Sequence, residues 1–230
     1  MSSHEDMSVA RQALLMVWTD IPAEIEPQFN DWYNREHLRE RIEVPGFIRA
    51  RRFEALSGAP RYIALYEASG ADVLRSEQYL RFKKVRDERT MQFTSLFRNT
   101  LKATCDVTAR AGAGEGAFLV LQPITIDAAR RTAFRNWVSS VLFAEALQSS
   151  GVMAATLAEH NSDMRETAAP HDVRTGDRHL ESVLMLEAGS ERGVSAAISH
   201  LDRQTLEHHG ATPHIVMQPC SFRVLYTMHA

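Results

Sequence analysis

Two apolar runs of strand length, Ala13 to Trp18 and Ala117 to Leu121, each precede a segment whose large residues recur at helical spacing. After the first run Ile25, Phe29, Trp32 and Tyr33 make one apolar stripe, with Asp20 as the expected N-cap and Pro22 and Pro27 where an opening turn accepts them. The matching helix after the second run extends from about Asp127 to Leu147. Strand composition then recurs over Phe47 to Glu54 and Tyr62 to Glu67, and again over Val152 to Glu159 and Ser182 to Glu187. A second helix is expected over Asp72 to Leu80 and over Gly193 to Leu201, and a further one near Arg89 to Phe97. Closing strands are expected over Leu101 to Thr108 and Ser221 to Met228. The order is β-α-β-β-α-β, twice, which is the ferredoxin-like split unit.

The doubling is visible residue by residue. An offset of 105 places Phe29 and Trp32 on Phe134 and Trp137, Gly46 on Gly151, Ala50 on Ala155 and Glu54 on Glu159. An offset of 120 aligns Glu67 and Ala68 with Glu187 and Ala188, so an insertion of 15 residues lies between about Glu159 and Leu180, in a stretch of loop composition. One unit leaves a sheet face bare, and a second sheet from the same chain covers it. The expected architecture is therefore α+β, two fused ferredoxin-like repeats whose antiparallel sheets pack into a barrel with a cavity between them. The expected division is a first repeat over 1–110, a Gly-rich linker over 111–116 and a second repeat over 117–230 with a loop insertion near 160–180.

The repeat also supplies an internal comparison, because a polar residue whose twin is apolar marks an interior position that is polar for a reason. Glu36 and His37 stand where the other half has Val141 and Leu142, and His37 follows Tyr33 by four residues on the striped face. A histidine there suits general acid or base chemistry; a buried histidine satisfied by a backbone carbonyl is the structural alternative. Arg49, Arg51 and Arg52 lie in a strand whose twin, Val152 to Ala158, has no charge. Arg49 and Arg51 share one face and Arg52 the other. Buried guanidinium needs a carboxylate, either of an anionic substrate or of Glu43, Glu54 or Glu67 in structural ion pairs. Tyr62 and Tyr66 point to one side of the next strand, as cavity lining or as ordinary packing. Trp32 has a twin in Trp137, which favours a shared structural role.

Composition narrows the chemistry. With 230 residues, 44% of them apolar and 24% charged, the chain can bury one or two cores. No apolar run approaches the ~20 residues that cross a bilayer, and Met1-Ser-Ser-His-Glu-Asp6 is not a secretory leader, so a cytoplasmic location is expected. A net charge of −3 without like-charge blocks excludes a nucleic-acid or membrane footprint and leaves a small molecule, anionic or aromatic, as the partner. Cys105 and Cys220 read as idle thiols. Eight of ten histidines lie from His160 onward, among them His171, His179, His208, His209 and His214, but no metal-ligand spacing such as HExxH occurs and no metal is expected.

Phe29-Asn-Asp-Trp-Tyr-Asn-Arg-Glu-His37, followed by Val44-Pro-Gly-Phe47 and Ala50-Arg-Arg-Phe53, resembles the EthD-like proteins of the dimeric α+β barrel superfamily. The match covers roughly Leu14 to Thr108, and Leu142 in place of the histidine implies one functional cavity per chain. The superfamily hosts cyclases, isomerases and haem proteins, so fold likeness does not select a reaction. The leading expectation is an enzyme of isomerase, cyclase or lyase type working without a cofactor. His37, Tyr33 and Glu36 would be its catalytic groups, and Arg49, Arg51, Arg52, Tyr62 and Tyr66 would hold a carbonyl or carboxylate-bearing substrate in the barrel cavity. Noncovalent haem binding, with His37 or a later histidine as axial ligand, is one alternative. A non-catalytic carrier of a small ligand is the other. The pattern leaves open whether two fused barrels pair as a homodimer.

Overall fold

The computed structural model describes residues 12–56, 58–160, 178–214 and 219–230; the expected insertion and His171 lie outside them. Its strands are β1 (Ala13–Asp20), β2 (Phe47–Ala55), β3 (Tyr62–Ala68), β4 (Arg98–Gly112), β5 (Phe118–Ile126), β6 (Val152–His160), β7 (Arg178–His179), β8 (Ser182–Ala188), β9 (Ala211–Pro213) and β10 (Cys220–His229). Its helices are α1 (26–42), α2 (Glu77–Lys84), α3 (Glu88–Ser95), α4 (131–148), α5 (Glu191–Ser199) and α6 (Arg203–His208). Side chains of Ser76, Asp87, Ser190 and Asp202 cap α2, α3, α5 and α6 by accepting from the backbone N–H three residues on. The N-cap expected of Asp20 is not made. That carboxylate accepts instead from Arg61 N (2.6 Å) and Asn99 Nδ2 (2.7 Å), and α1 is entered through a 3₁₀ turn over Ala23–Ile25.

Eight strands close a barrel in the order β1-β3-β2-β10-β5-β8-β6-β4, with β4 returning to β1, all antiparallel. Closure depends on two long strands that belong to both halves. β4 pairs with β1 through Arg98–Asp106 and with β6 through Cys105–Gly112. β10 pairs with β5 through Cys220–Arg223 and with β2 through Phe222–His229. Gly46 and Gly151, matched in the sequence, both have positive φ (98° and 86°), a conformation that the chain takes on leaving each long helix.

Three cores follow from strand alternation. Every barrel strand sends residues inward, among them Trp18, Phe53, Leu65, Leu121, Met185 and Phe222, all essentially inaccessible. Among the described residues these side chains form one continuous core inside the barrel, and the cavity described below lies outside it, under the first helix layer. Large side chains from the inward positions of both halves pack against one another there. The outward faces of β1–β3 pack under α1–α3, and those of β5, β6 and β8 under α4–α6, as two further cores.

Candidate functional site in the first helix layer

The first helix layer does not close fully against the barrel. It encloses a cavity of about 190 Å³ whose floor is Leu15 and Val17 of β1 with Lys102, paired opposite Val17 on β4. Tyr33, His37, Glu40 and Arg41 of α1 make one wall. Phe82 and Lys83 at the end of α2, then Val85, Arg86 and Asp87, make the other, and Thr90, Thr94 and Phe97 close the side.

α1 reaches this wall through a π-turn over Tyr33–His37, and α4 has the same turn over Val138–Leu142, 105 residues later. The wider turn is thus part of the duplicated scaffold, and what distinguishes the halves is the side chains it presents. His37 stacks on Trp32 (ring centroids 4.7 Å, planes 27° apart), which stacks on Phe93 behind it (4.8 Å, 19°). The imidazole is 6% exposed, and its Nδ1 lies 3.5 Å from Glu40 Oε2, a long contact that leaves the atom without a good hydrogen bond. Burial lowers its pKa from 6.5 to about 4; Glu40 offsets part of this, while the Arg41 and Arg86 charges add to it. At neutral pH the ring is uncharged.

Beside it, the Tyr33 hydroxyl accepts a hydrogen bond from the Tyr66 hydroxyl (3.1 Å). Burial raises the Tyr66 phenol well above its ordinary pKa. Arg52 lies 4.3 Å from the Tyr33 ring centroid and also faces Phe29 and Tyr62. Its guanidinium donates to Asn30 Oδ1 and Asn34 Oδ1, each at 2.9 Å, and makes no carboxylate ion pair among the described residues. Arg52 therefore supports Tyr33 from behind and does not line the cavity.

The other sequence candidates are placed elsewhere. Glu36 is on the surface, paired with Arg89 (2.5 Å); the carboxylate that reaches the cavity is Glu40. Three residues after His37 is the same helix face, whereas one residue before it is about 100° away. Tyr62 donates to Glu26 Oε1 (2.6 Å) outside the cavity. Arg49 and Arg51 point inward at one end of the barrel. Arg51 donates to both oxygens of Glu187 (2.8 and 2.9 Å), and Arg49 pairs with Glu67 and Glu115. Arg51 ties the two repeats together through Glu187, and Arg49 has its partners in the first repeat and the linker. Lys83, Arg86, Lys102, Glu40 and Arg41 were not singled out by sequence, although Lys83 stands four residues after the buried Tyr79 and Lys102 interrupts an apolar strand.

In the second half Val138, Leu142 and Ala146 take the places of Tyr33, His37 and Arg41, and pack with Val120, Leu184 and Leu186 into a continuous apolar core. Its histidines have local roles: His209 stacks on Trp137 (3.9 Å, 10°), His200 bonds Ser149 Oγ (2.9 Å) and His160 contacts Thr104 O (3.3 Å). Among the described residues no group of three or more His, Cys, Asp or Glu is placed to hold a metal ion.

No protein-family model and no curated protein matches the sequence. Solved structures do match its fold. They include an anthrone oxidase-like protein (TM-score 0.65, 9% identity, 97% of this chain and 94% of that one) and a protein provisionally designated a monooxygenase from Fusobacterium nucleatum (0.58, 8%, 96% and 95%). A heme-binding protein from Thermus thermophilus also matches (0.53, 10%, 94% and 92%). This last likeness corrects the expectation that no cofactor is involved, because a chain of this fold is a heme-binding protein and the sequence pattern therefore does not exclude a prosthetic group. In this chain the donor chemistry of a neutral, buried histidine would suit such a group, but the room does not. An apolar cavity of about 150 Å³ takes a single benzene, and the 190 Å³ beside His37 does not admit a four-pyrrole macrocycle. At these identities the likeness shows the fold alone, an α+β barrel of two ferredoxin-like repeats.

Proposed function

We propose that the chain is an enzyme that moves a proton on a small carbonyl or carboxylate-bearing compound held between α1, α2 and the outer face of β1 and β4, in chemistry of the isomerase, cyclase or lyase kind. The observation that carries this reading is the meeting of an uncharged, buried His37 and the Tyr33 hydroxyl on one wall of a cavity that the second repeat fills with aliphatic side chains. His37 takes the proton from an acidic position of the substrate. Tyr33, whose oxygen already accepts from Tyr66, gives its own hydrogen to the substrate oxygen on which charge develops. Glu40, 3.5 Å from Nδ1, steadies the imidazolium once formed. The EthD-like spelling of Phe29 to His37 supports α1 as the working helix. An oxidase-type outcome, suggested by the anthrone oxidase-like neighbour, would begin with the same proton abstraction.

The test is a turnover screen of single-ring hydroxy- and oxo-acids, read both by product mass and by oxygen uptake. A positioned general base contributes roughly 10²–10⁴-fold, so His37→Gln should lower any turnover by at least about 10²-fold, with Tyr33→Phe also reducing it. Retained turnover in His37→Gln would overturn the assignment.

A further inference from the structure

Resting on the reading of Tyr33 as hydrogen-bond donor to the substrate oxygen, we propose that Arg52, buried behind the Tyr33 ring, is a positioning residue of the same reaction, whose charge makes the Tyr33 hydroxyl a stronger donor. Arg52 is wholly inaccessible, and its guanidinium carbon lies 4.3 Å from the Tyr33 ring centroid, nearer than to Phe29 (4.9 Å) or Tyr62 (5.2 Å). Its hydrogen bonds go to two neutral amides, Asn30 and Asn34. Glu54, the carboxylate two residues along the same strand, is held by Arg61 (2.8 Å) and Arg223 (2.7 Å). A buried guanidinium without a carboxylate is costly for the fold, and the group it meets most closely is the face of Tyr33.

The second repeat shows what the scaffold needs without this chemistry. The twins of Arg52, Tyr33 and Tyr66 are Leu157, Val138 and Leu186, all members of one apolar core. Asn30 and Asn34 have Arg135 and Ser139 as twins, and Arg135 bonds Glu159 (2.5 Å) instead. A helix with the same π-turn therefore packs on a strand of the same register without a buried cation. The cation, the two amides that hold it and the two tyrosines occur together in the repeat that carries His37.

A cation over an aromatic face draws on the electron density of the ring and, for a phenol, favours negative charge arriving at its oxygen. Inside the protein that interaction is screened far less than in water. Asn30 and Asn34, one turn apart on α1, fix the guanidinium to the helix that carries Tyr33, so the cation and the ring stay in register. Tyr66 adds to the effect at the oxygen itself. Its hydroxyl donates to Tyr33 at 3.1 Å, and a hydroxyl that accepts one hydrogen bond donates a stronger one. Burial raises the Tyr66 phenol well above its ordinary range, so Tyr66 keeps its proton and the chain of hydrogen bonds runs from Tyr66 through Tyr33 to the substrate.

Carbon-13 NMR of the whole protein labelled at tyrosine Cζ reads this polarisation without a substrate, with the Tyr33 signal assigned by its loss in Tyr33→Phe. Arg52→Leu, which copies the second repeat, and Arg52→Gln, which keeps a hydrogen-bonding amide but no charge, should each shift the Tyr33 signal. Arg52→Lys, which keeps the charge, should return it towards the parent position, and all three should retain the parent circular dichroism spectrum. A Tyr33 signal that stays in place in both neutral variants, or that moves as far in Arg52→Lys, would overturn the proposal. Loss of the folded spectrum in both neutral variants would also overturn it, because the charge would then serve the fold. On a substrate found by the turnover screen, Arg52→Leu should lower kcat about tenfold with KM unchanged, and should add no further loss in a Tyr33→Phe background. A rise in KM alone, or a full further loss in that background, would count against it equally. The enzyme reading fails on a separate result, turnover that persists in His37→Gln, so the two failures are distinguishable.

Discussion

A histidine held uncharged in the interior makes the folded state sensitive to acid in a defined window. The unfolded chain takes up the His37 proton near pH 6.5, whereas the folded chain takes it up only at about pH 4. Between those values the unfolded state binds more protons, so stability falls as pH falls, and below about pH 4 no more is lost. At 1.36 kcal/mol per unit of pKa difference the loss is about 3 kcal/mol. Urea midpoints measured across this window should show that decline in the parent protein and a flatter limb in His37→Gln. Arg52 poses the opposite case, a buried charge whose hydrogen-bond partners among the described residues are two asparagines on α1. Its twin is Leu157, fully buried in the second repeat. Replacing a buried ion by a well-packed apolar residue is often neutral, so Arg52→Leu should shift thermal stability by no more than about 1–2 kcal/mol.

His37 was legible in the sequence because its twin is Leu142 and a polar residue at a core position announces itself, and Tyr33 because it lies four residues earlier on the same striped face. Glu40, Lys83 and Lys102 were not, because the cavity exists only through the way α2 and α3 dock on α1 and the barrel, a tertiary result that no local pattern carries. The arginines were legible as anomalies but not as to direction, since alternation assigns faces only when the register is known, and β2 shifts register between Phe47 and Arg49.

Among the elements, the strand pairings that unite the repeats are held by charge at one end of the barrel. Arg51, 1% exposed, bonds Glu187 of the opposite repeat through both oxygens, and Glu187 also accepts from Gly116 N (2.8 Å). Burial alone would raise the Glu187 carboxyl, but the Arg51 hydrogen bonds and charge, with the Gly116 N–H, outweigh it and hold it below the ordinary carboxylate range. Removing Arg51 leaves Glu187 without its guanidinium, at a cost of about 3–5 kcal/mol, whereas removing Glu187 leaves Arg51 with Glu67 at 3.5 Å and costs less. Arg51→Met should lose stability of that order and Glu187→Leu somewhat less by guanidinium denaturation, whereas the double substitution Arg51→Met with Glu187→Leu should recover much of it. Additive losses would show that the two groups do not act as a pair. The sequence pointed to this end of the barrel through the matched Glu67 and Glu187, but the strand length that joins the halves was underread: β4 extends from Arg98 to Gly112, beyond the Leu101 to Thr108 stretch that strand composition marks.

For the molecule as a whole, a closed barrel makes the two repeats a single cooperative body rather than two domains on a tether. β10 shows why. Its first residues extend the second repeat's sheet through β5 and its later ones complete the first repeat's sheet through β2, while Phe222, 1% exposed, enters the shared interior beside them. Removing Phe222–Ala230 would leave the ladder edge of β2 open and withdraw a large ring from the common core, so the damage cannot stay in one repeat. The truncated chain should lose the parent's cooperative unfolding transition and aggregate through the exposed edge. Phe222→Ala, which keeps the ladder but empties the ring's place, should retain a single transition displaced by about 3–5 kcal/mol. The two variants separate closure from filling: if the truncated chain unfolds in one step at a midpoint near that of Phe222→Ala, the barrel is held by its packed interior alone and the shared strand contributes little. If it shows two transitions, the repeats fold independently and the cavity beside His37 should survive removal of β10.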